Sequence, residues 1–254
     1  MADIIPIAKN KRPSYENFIA DCPFCGHECI YNRASDLHTF EPIGGLNVTC
    51  LNELCAKTFR LVSDSVNERH EMLIYDCYEL LERKHYMNCI LSLAQAYEVF
   101  FSLFLRVEFL YKPFAADLDQ DLAVMNQLSE QINEKIKDHT FSRMRAQFLH
   151  TIIGRHSPTS LIDASRIIAA LPQYPTEPKN REIEALTDTK LIPLLTALKA
   201  TTIHVLRNRV VHKQAYRPTH DQVQAALKET RSILFPLTSR LNLHDDLNWY
   251  ITHS

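Results

Sequence analysis

An arginine, an amide and a histidine fall within six residues at Arg207-Asn208-Arg-Val-Val-His212. On a helix, Asn208 and His212 are one turn apart on a single face, and the Arg207 side chain is long enough to reach that face. A guanidinium grips a phosphate, and an imidazole takes or gives a proton near neutral pH. Together they form a minimal set for splitting a phosphodiester. The surrounding residues 199–217 carry Lys199, Arg207, Arg209, Lys213 and Arg217 with two histidines and no Asp or Glu, in a chain of net charge -2. Such a stretch attracts anions. The same Arg-x4-His spacing recurs at Arg33–His38 and Arg145–His150, so spacing alone does not select a site. Of the three arginines, only Arg207 is followed directly by an amide, near the end of an apolar-periodic segment with a fresh helix start behind it. Cationic side chains in a last helical turn also complement the helix dipole without any further role.

A second set of chemically capable residues lies near the start of the chain. Cys22-Pro-Phe-Cys25-Gly26 and Cys50-Leu-Asn-Glu-Leu-Cys55 give the pattern Cys-x2-Cys-x24-Cys-x4-Cys. Short runs at 27–31, 37–43, 46–49 and 58–62 are expected to be strands, with Gly44-Gly45 as a hairpin turn. So small a sheet buries too little to stand alone, and a zinc ion held by Cys22, Cys25, Cys50 and Cys55 would supply the missing folding energy. Cys29, His27 or His38 could replace one ligand, although Cys29 also fits as a strand residue. A structural, closed site is expected, because no three-ligand set with an adjacent acid or base is present for catalysis. The module resembles the zinc ribbon family, and the Pro-Phe-Cys-Gly knuckle carries the likeness. Its second pair departs from the common two-residue spacing. Six Lys/Arg against eight Asp/Glu in residues 1–65 provide no basic face, so the task of this module stays open.

The elements that must position these groups come from the rest of the chain. With 254 residues, 46% hydrophobic and 23% charged, the composition is that of a soluble protein of one or two domains. Met-Ala-Asp-Ile-Ile-Pro has no signal-peptide form, and no run of about 18 uninterrupted apolar residues appears. Seven cysteines without a secretory signal point to a reducing compartment, hence the cytoplasm and no membrane partner. Residues 1–17 read as a polar arm, 18–64 as the ribbon-like module and 65–254 as a mainly α domain. Ser65-Val-Asn-Glu68 has the form of a capping box opening a first helix. Residues 86–111 form the most apolar helix, the expected centre of a bundle, ended by Pro113. Along one side it carries Asn88, Ser92, Gln95, Glu98, Ser102 and Arg106, a stripe that is either a solvated face or the lining of a groove. Further helices are expected at 118–137, 140–153 and 160–171, then a proline-rich connection at 172–180. A long helix over 189–214 carries the Arg-Asn-x3-His motif. Thr219-His-Asp-Gln222 opens a final helix that Pro236 should kink or end, and the tail with Trp249 is expected to dock on the bundle.

The central helix with its embedded acid (Ala94-Gln-Ala-Tyr-Glu98-Val-Phe-Phe), the later helix ending Leu206-Arg-Asn-Arg-Val-Val-His212, a proline-containing turn and a closing helix resemble the HEPN superfamily over roughly residues 66–240. That resemblance implies an all-α, HEPN-like bundle that dimerises so that two Arg-polar…His motifs meet in one cleft. It also implies a metal-independent endoribonuclease, with RNA as substrate, no catalytic cofactor, and an antitoxin or phage-defence partner. In that setting His212 moves the proton, Arg207 stabilises the phosphoryl oxygens and Asn208 orients one or the other. Glu98 stands where the family often places an acid, and Arg209 and Lys213 become phosphate contacts. Some family toxins carry a modified tyrosine two residues after the histidine; here position 214 is Gln and the tyrosine is Tyr216. His204 reads as a packed histidine. Some members bind nucleotides or proteins without cutting, so a non-catalytic binding module with the ribbon as docking surface is the alternative.

Overall fold

A computed structural model describes residues 17–39, 43, 45–61, 68–114, 122–154 and 157–243. The expected arm up to residue 16, Gly44, Ser65 and the tail with Trp249 lie outside them. The chain divides into two compact units, one within the first 67 residues and one beginning at Glu68.

The first unit holds two separate antiparallel hairpins. In one, β1 (Asn17–Asp21) pairs with β2 (Glu28–Asn32) in the register Asn17↔Asn32 to Asp21↔Glu28. In the other, β3 (Leu46–Thr49) pairs with β4 (Thr58–Leu61), from Leu46↔Leu61 to Thr49↔Thr58. Alternation sends Cys29 and Tyr31 of β2 and Phe59 and Leu61 of β4 into one small core with Cys22, Leu37, Val48 and Cys50. The Tyr31 hydroxyl donates to the Thr49 carbonyl at 2.9 Å, tying the hairpins together. The expected strand at 37–43 is not formed among the described residues. Arg33–Leu37 instead make a π-helical turn, because the Asn32 side chain accepts from the amides of Ala34 and Ser35 while Asp36 accepts from the Asn32 amide. Since β3 pairs with β4, a turn at 44–45 does not set its partner. Asn17, assigned to the arm on sequence, is the first residue of β1.

The second unit is helical, which makes the described chain mainly α. In chain order it contains α1 (Arg69–Glu82), α2 (Tyr86–Arg106), a π-helical turn Val107–Tyr111 leading into α3 (Lys112–Phe114), α4 (Leu122–Ile136), α5 (Phe141–Gly154), α6 (Leu161–Ala170), α7 (Asn180–Glu184), α8 (Leu191–Ala200), α9 (Ile203–His212) and α10 (His220–Arg240). α2 is apolar on most sides and is buried accordingly, with α1, α4, α5, α9 and α10 packed around it. Tyr97, Phe100, Phe101 and Phe104 meet Phe141 and Phe148 of α5, with Phe104 and Phe148 4.5 Å apart between ring centres. Burying each such ring contributes roughly 1.5–3 kcal/mol. Tyr86–Phe114 is long and apolar enough to cross a bilayer by length and composition, but most of it is buried inside this unit.

Three boundaries depart from the sequence reading. Glu68 is not inside the first turn of α1; it stands at the N-cap position, 4% exposed, and its side chain makes no capping hydrogen bond. The single helix expected over 189–214 is two helices, broken at Thr201-Thr202. Arg145 donates to the carbonyls of Leu198 and Thr201, and the Thr201 hydroxyl accepts from the Ile203 amide, so these three polar groups at the break are satisfied. Pro236 lies inside α10, which runs on to Arg240. The start of α10 matches its capping box: Thr219 Oγ1 accepts from the Gln222 amide at 3.3 Å and Gln222 Oε1 from the Thr219 amide at 3.0 Å.

Candidate functional site

The three Arg-x4-His pairs meet different fates. Arg145, 5% exposed, donates through Nε to Glu177 Oε1 at 2.7 Å and lies over the Phe141 ring at 5.5 Å. His150 hydrogen-bonds the Thr176 carbonyl. Lys199 adds a bond to the Pro178 carbonyl at 2.7 Å, and Arg143 stacks on Tyr174 at 4.6 Å. The proline-rich segment 172–180 is thereby strapped onto α5 and α8, and both members of the Arg145–His150 pair are consumed in holding it. Arg33 is 4% exposed and packs 6.0 Å from the Phe18 ring, while His38 ends the π-helical turn in the left-handed region at φ 54°. Arg33 is thus taken up by the fold, while the His38 side chain is exposed; in the Arg145–His150 pair both members hold the fold.

Arg207, Asn208 and His212 are presented differently. α9 buries Ile203 and Val210 and packs Leu206 against the core. Its outer side leaves Asn208, Arg209 and His212 exposed, while Arg207, one turn from Ile203 and on the side nearer the core, is half-buried. Arg207 Nη1 donates to Asn208 Oδ1 at 3.3 Å, which holds the amide against the guanidinium. Among the described residues His212 makes no hydrogen bond, so both ring nitrogens face solvent or a ligand. Lys213 is exposed, one residue past the end of α9.

α2 supplies the neighbouring ground. Asn88, Leu91 and Gln95 are exposed along one strip that continues to half-buried Glu98. Burial raises the Glu98 carboxyl above its ordinary range, and the nearby positive charge of Arg207 offsets part of that rise. Leu91, Val205 and Val211 are large apolar side chains left exposed on α2 and α9. One turn inward, His204 stacks on Phe141 with rings 5.3 Å apart and 16° from parallel; burial and the charge of Arg145 push its pKa below the usual value. It is a packed histidine, held away from the exposed set. The surface therefore combines a guanidinium, an amide, a free imidazole and an acid, which is enough to bind a phosphate and move one proton.

In the first unit, the thiols of Cys22, Cys25, Cys50 and Cys55 all lie within 4.8 Å of one another and could hold a metal ion. Cys22 and Cys55 are 3.9 Å apart, Cys25 and Cys50 3.7 Å. The two loops are variants of one turn. The Cys22 amide donates to the His27 carbonyl and Gly26, at φ 69°, donates to the Cys22 carbonyl. The Cys50 amide likewise donates to the Lys57 carbonyl, with Ala56 at φ 45° after the longer Cys-x4-Cys loop. A left-handed backbone suits glycine and strains alanine. Burial raises the Cys22 thiol, but the amides of Phe24 and Cys25 together with hydrogen bonds from the Cys50 and Cys25 thiols more than offset this and bring it down to about 7, near the thiolate form a metal requires. Burial pushes the Cys50 thiol up. Neither His27 nor His38 belongs to the group. Cys29 does stand beside it, its sulfur 3.8 Å from that of Cys50 and accepting from the Leu51 amide at 3.4 Å. Spacing could not have shown this proximity, which follows from the inward face of β2.

Comparisons with protein-family models, with characterised proteins and with solved structures find no match to this chain.

Proposed function

We propose that the helical unit is a HEPN-type endoribonuclease working without a catalytic metal, its active surface formed where two copies of α9 face one another. The observation that carries this reading is the contrast among the three Arg-x4-His pairs: Arg33 and Arg145 are buried in the fold, and Arg207 alone keeps a half-exposed guanidinium, next to an exposed amide and histidine and near the acid of the central helix. In the reaction, a ribose 2′-OH loses its proton to one His212 and attacks the adjacent phosphorus. The P–O5′ bond breaks, the leaving oxygen takes a proton from the second His212, and the products are a cyclic phosphate and a 5′-hydroxyl. Arg207 neutralises the charge growing on the non-bridging oxygens. One imidazole per chain supplies either the base or the acid, so the pairing of two chains is part of the chemistry. Leu91, Val205 and Val211 are suited to the apolar part of that contact.

The four-cysteine module fits a structural zinc ion. Tetrahedral bonds of about 2.3 Å place sulfurs roughly 3.8 Å apart, and the separations of 3.7 and 3.9 Å match. With all four positions taken by thiolates, such an ion staples the hairpins and leaves no open position for substrate.

The deciding experiment is incubation of the purified protein with single-stranded RNA in the presence of a chelator. Cleavage leaving cyclic phosphate ends, abolished by His212→Ala with folding and self-association intact, is expected. RNA binding without cutting across a broad panel of sequences would overturn the nuclease reading in favour of a non-catalytic binding module.

A further inference from the structure

A cleft of about 350 Å³ opens at the start of α2, lined by Lys84, His85, Tyr86, Asn88, Arg217 and Pro218. Its two cations arrive from segments more than 130 residues apart: Lys84 from the turn between α1 and α2, where His85 also lines the cleft, and Arg217 from the turn between α9 and α10. No Asp or Glu lines it. Lys84 is held by its left-handed backbone (φ 60°) and by its amide bond to the Leu81 carbonyl. The Arg217 guanidinium is anchored through Nη1 to the carbonyls of Gln214 and Tyr216, which leaves its other donors for a ligand. Tyr86 forms an aromatic wall, with His220 edge-on to it at 6.1 Å and the His220 Nδ1 turned to Asp221. Among the described residues the first turn of α2, whose residues Tyr86, Met87 and Asn88 line the cleft, receives no side-chain cap. The volume lies within the ~300–1,000 Å³ of small-ligand sites.

The cleft lies at the N-terminal end of α2, the same helix that carries Glu98. Glu98 lies near Arg207, while Asn88 shares the cleft with Arg217. The chain from Arg207 through His212 to Arg217 therefore runs back along α2, over the ten residues, about 15 Å, that separate Glu98 from Asn88. A few nucleotides of single strand span that distance.

We infer that this cleft binds the phosphate of a nucleotide, with Lys84 and Arg217 on the phosphate oxygens and Tyr86 against the base. The ligand is either one residue of an RNA strand lying along α2 and α9 or a free nucleoside monophosphate. Only the strand source rests on the nuclease reading; phosphate binding in the cleft does not.

The test measures binding of a short single-stranded RNA, and separately of AMP, to the full-length His212→Ala protein, which binds without cutting. Lys84→Asn and Arg217→Ala are introduced into it, asparagine being chosen because it tolerates the left-handed backbone. Each should weaken binding about tenfold, and each should reduce the slope of log affinity against log salt by about 0.7 if a strand phosphate is the ligand. Arg166→Ala, a distant surface cation, should change neither. Weakened RNA binding with no AMP binding identifies the strand as the source, and weakened AMP binding alone identifies the free nucleotide. Affinities equal to the parent for both ligands, a parent that binds neither, or equal losses in Arg166→Ala would overturn the inference. A wild type that never cuts, yet binds RNA through Lys84 and Arg217, would sink the nuclease reading and keep the cleft. Normal cutting with binding indifferent to both would sink the cleft alone.

Discussion

The Arg145 guanidinium bridges two things at once: its Nε donates to Glu177 Oε1 at 2.7 Å, and its Nη1 reaches the carbonyls of Leu198 and Thr201. One buried side chain thus holds the strap at 172–180 and the break from which α9 starts. Arg145→Ala is expected to cost about 3 kcal/mol or more, because it leaves a carboxylate and two carbonyls without a donor. Adding Glu177→Gln to it should cost less than the sum of the two single changes, read from urea unfolding midpoints. RNA cleavage should fall as well, although Arg145 lies away from the exposed surface that would meet substrate. Full activity in a folded Arg145→Ala protein would show that the placement of α9 does not depend on this contact.

If two chains share one active surface and each supplies one imidazole, an inactive chain should poison an active one. Wild type co-refolded with an excess of His212→Ala is expected to lose cutting beyond simple dilution, because a mixed dimer keeps one imidazole and lacks either the base or the acid. Leu91→Arg, an exposed apolar position on α2, should weaken self-association and cutting together, measured by sedimentation and RNA cleavage. Cutting that falls only in proportion to the wild-type chains present would argue against a shared site.

His204 sets a pH dependence of known sign. Its folded-state pKa lies below the ordinary value of 6.5, by burial first and the charge of Arg145 second. The unfolded chain therefore binds this proton more readily, and stability falls as pH drops through 6.5 and below. His204→Phe keeps a ring against Phe141 and removes the titration. Melting temperatures between pH 7 and pH 5 should fall less steeply in the variant than in wild type. Parallel curves would mean that His204 does not contribute.

The cysteine module predicts a metal stoichiometry. One zinc per chain is expected, lost from Cys50→Ser and retained by Cys29→Ala, since Cys29 stands beside the cluster without being one of its four ligands. A structural zinc of this kind supplies on the order of 10 kcal/mol to folding. Chelation should therefore unfold the first unit, seen by loss of amide protection in its hairpins, while the helical unit keeps its melting transition. Zinc lost equally from both variants would place Cys29 in the coordination sphere.

Where a structural cue is contained in a few consecutive residues, it was readable in the chain. The two cysteine loops, the Thr219–Gln222 capping box and the apolar period of α2 all fall in this class. Each depends on chelate spacing, one helical turn or a simple repeat, and the fold reproduces them. The break at Thr201-Thr202 and the turn at Arg33–Leu37 were not readable in this way. The first depends on Arg145, 53 residues from Leu198 and 56 from Thr201. The second is local, but its cue is a set of side-chain hydrogen bonds from Asn32 and Asp36 to nearby amides, which hydrophobic periodicity does not register.

Residue order alone placed an arginine, an amide and a histidine at spacings that chemistry can use, and did so with three arginine–histidine pairs of equal spacing. Only tertiary packing separated them, by drawing Arg145 and His150 onto the proline-rich segment while leaving Arg207 and His212 at the surface. It also joined Lys84 to Arg217 across more than 130 residues. The reason is physical: spacing is a property of neighbours along the chain, whereas burial and convergence depend on which distant segments the hydrophobic core draws together.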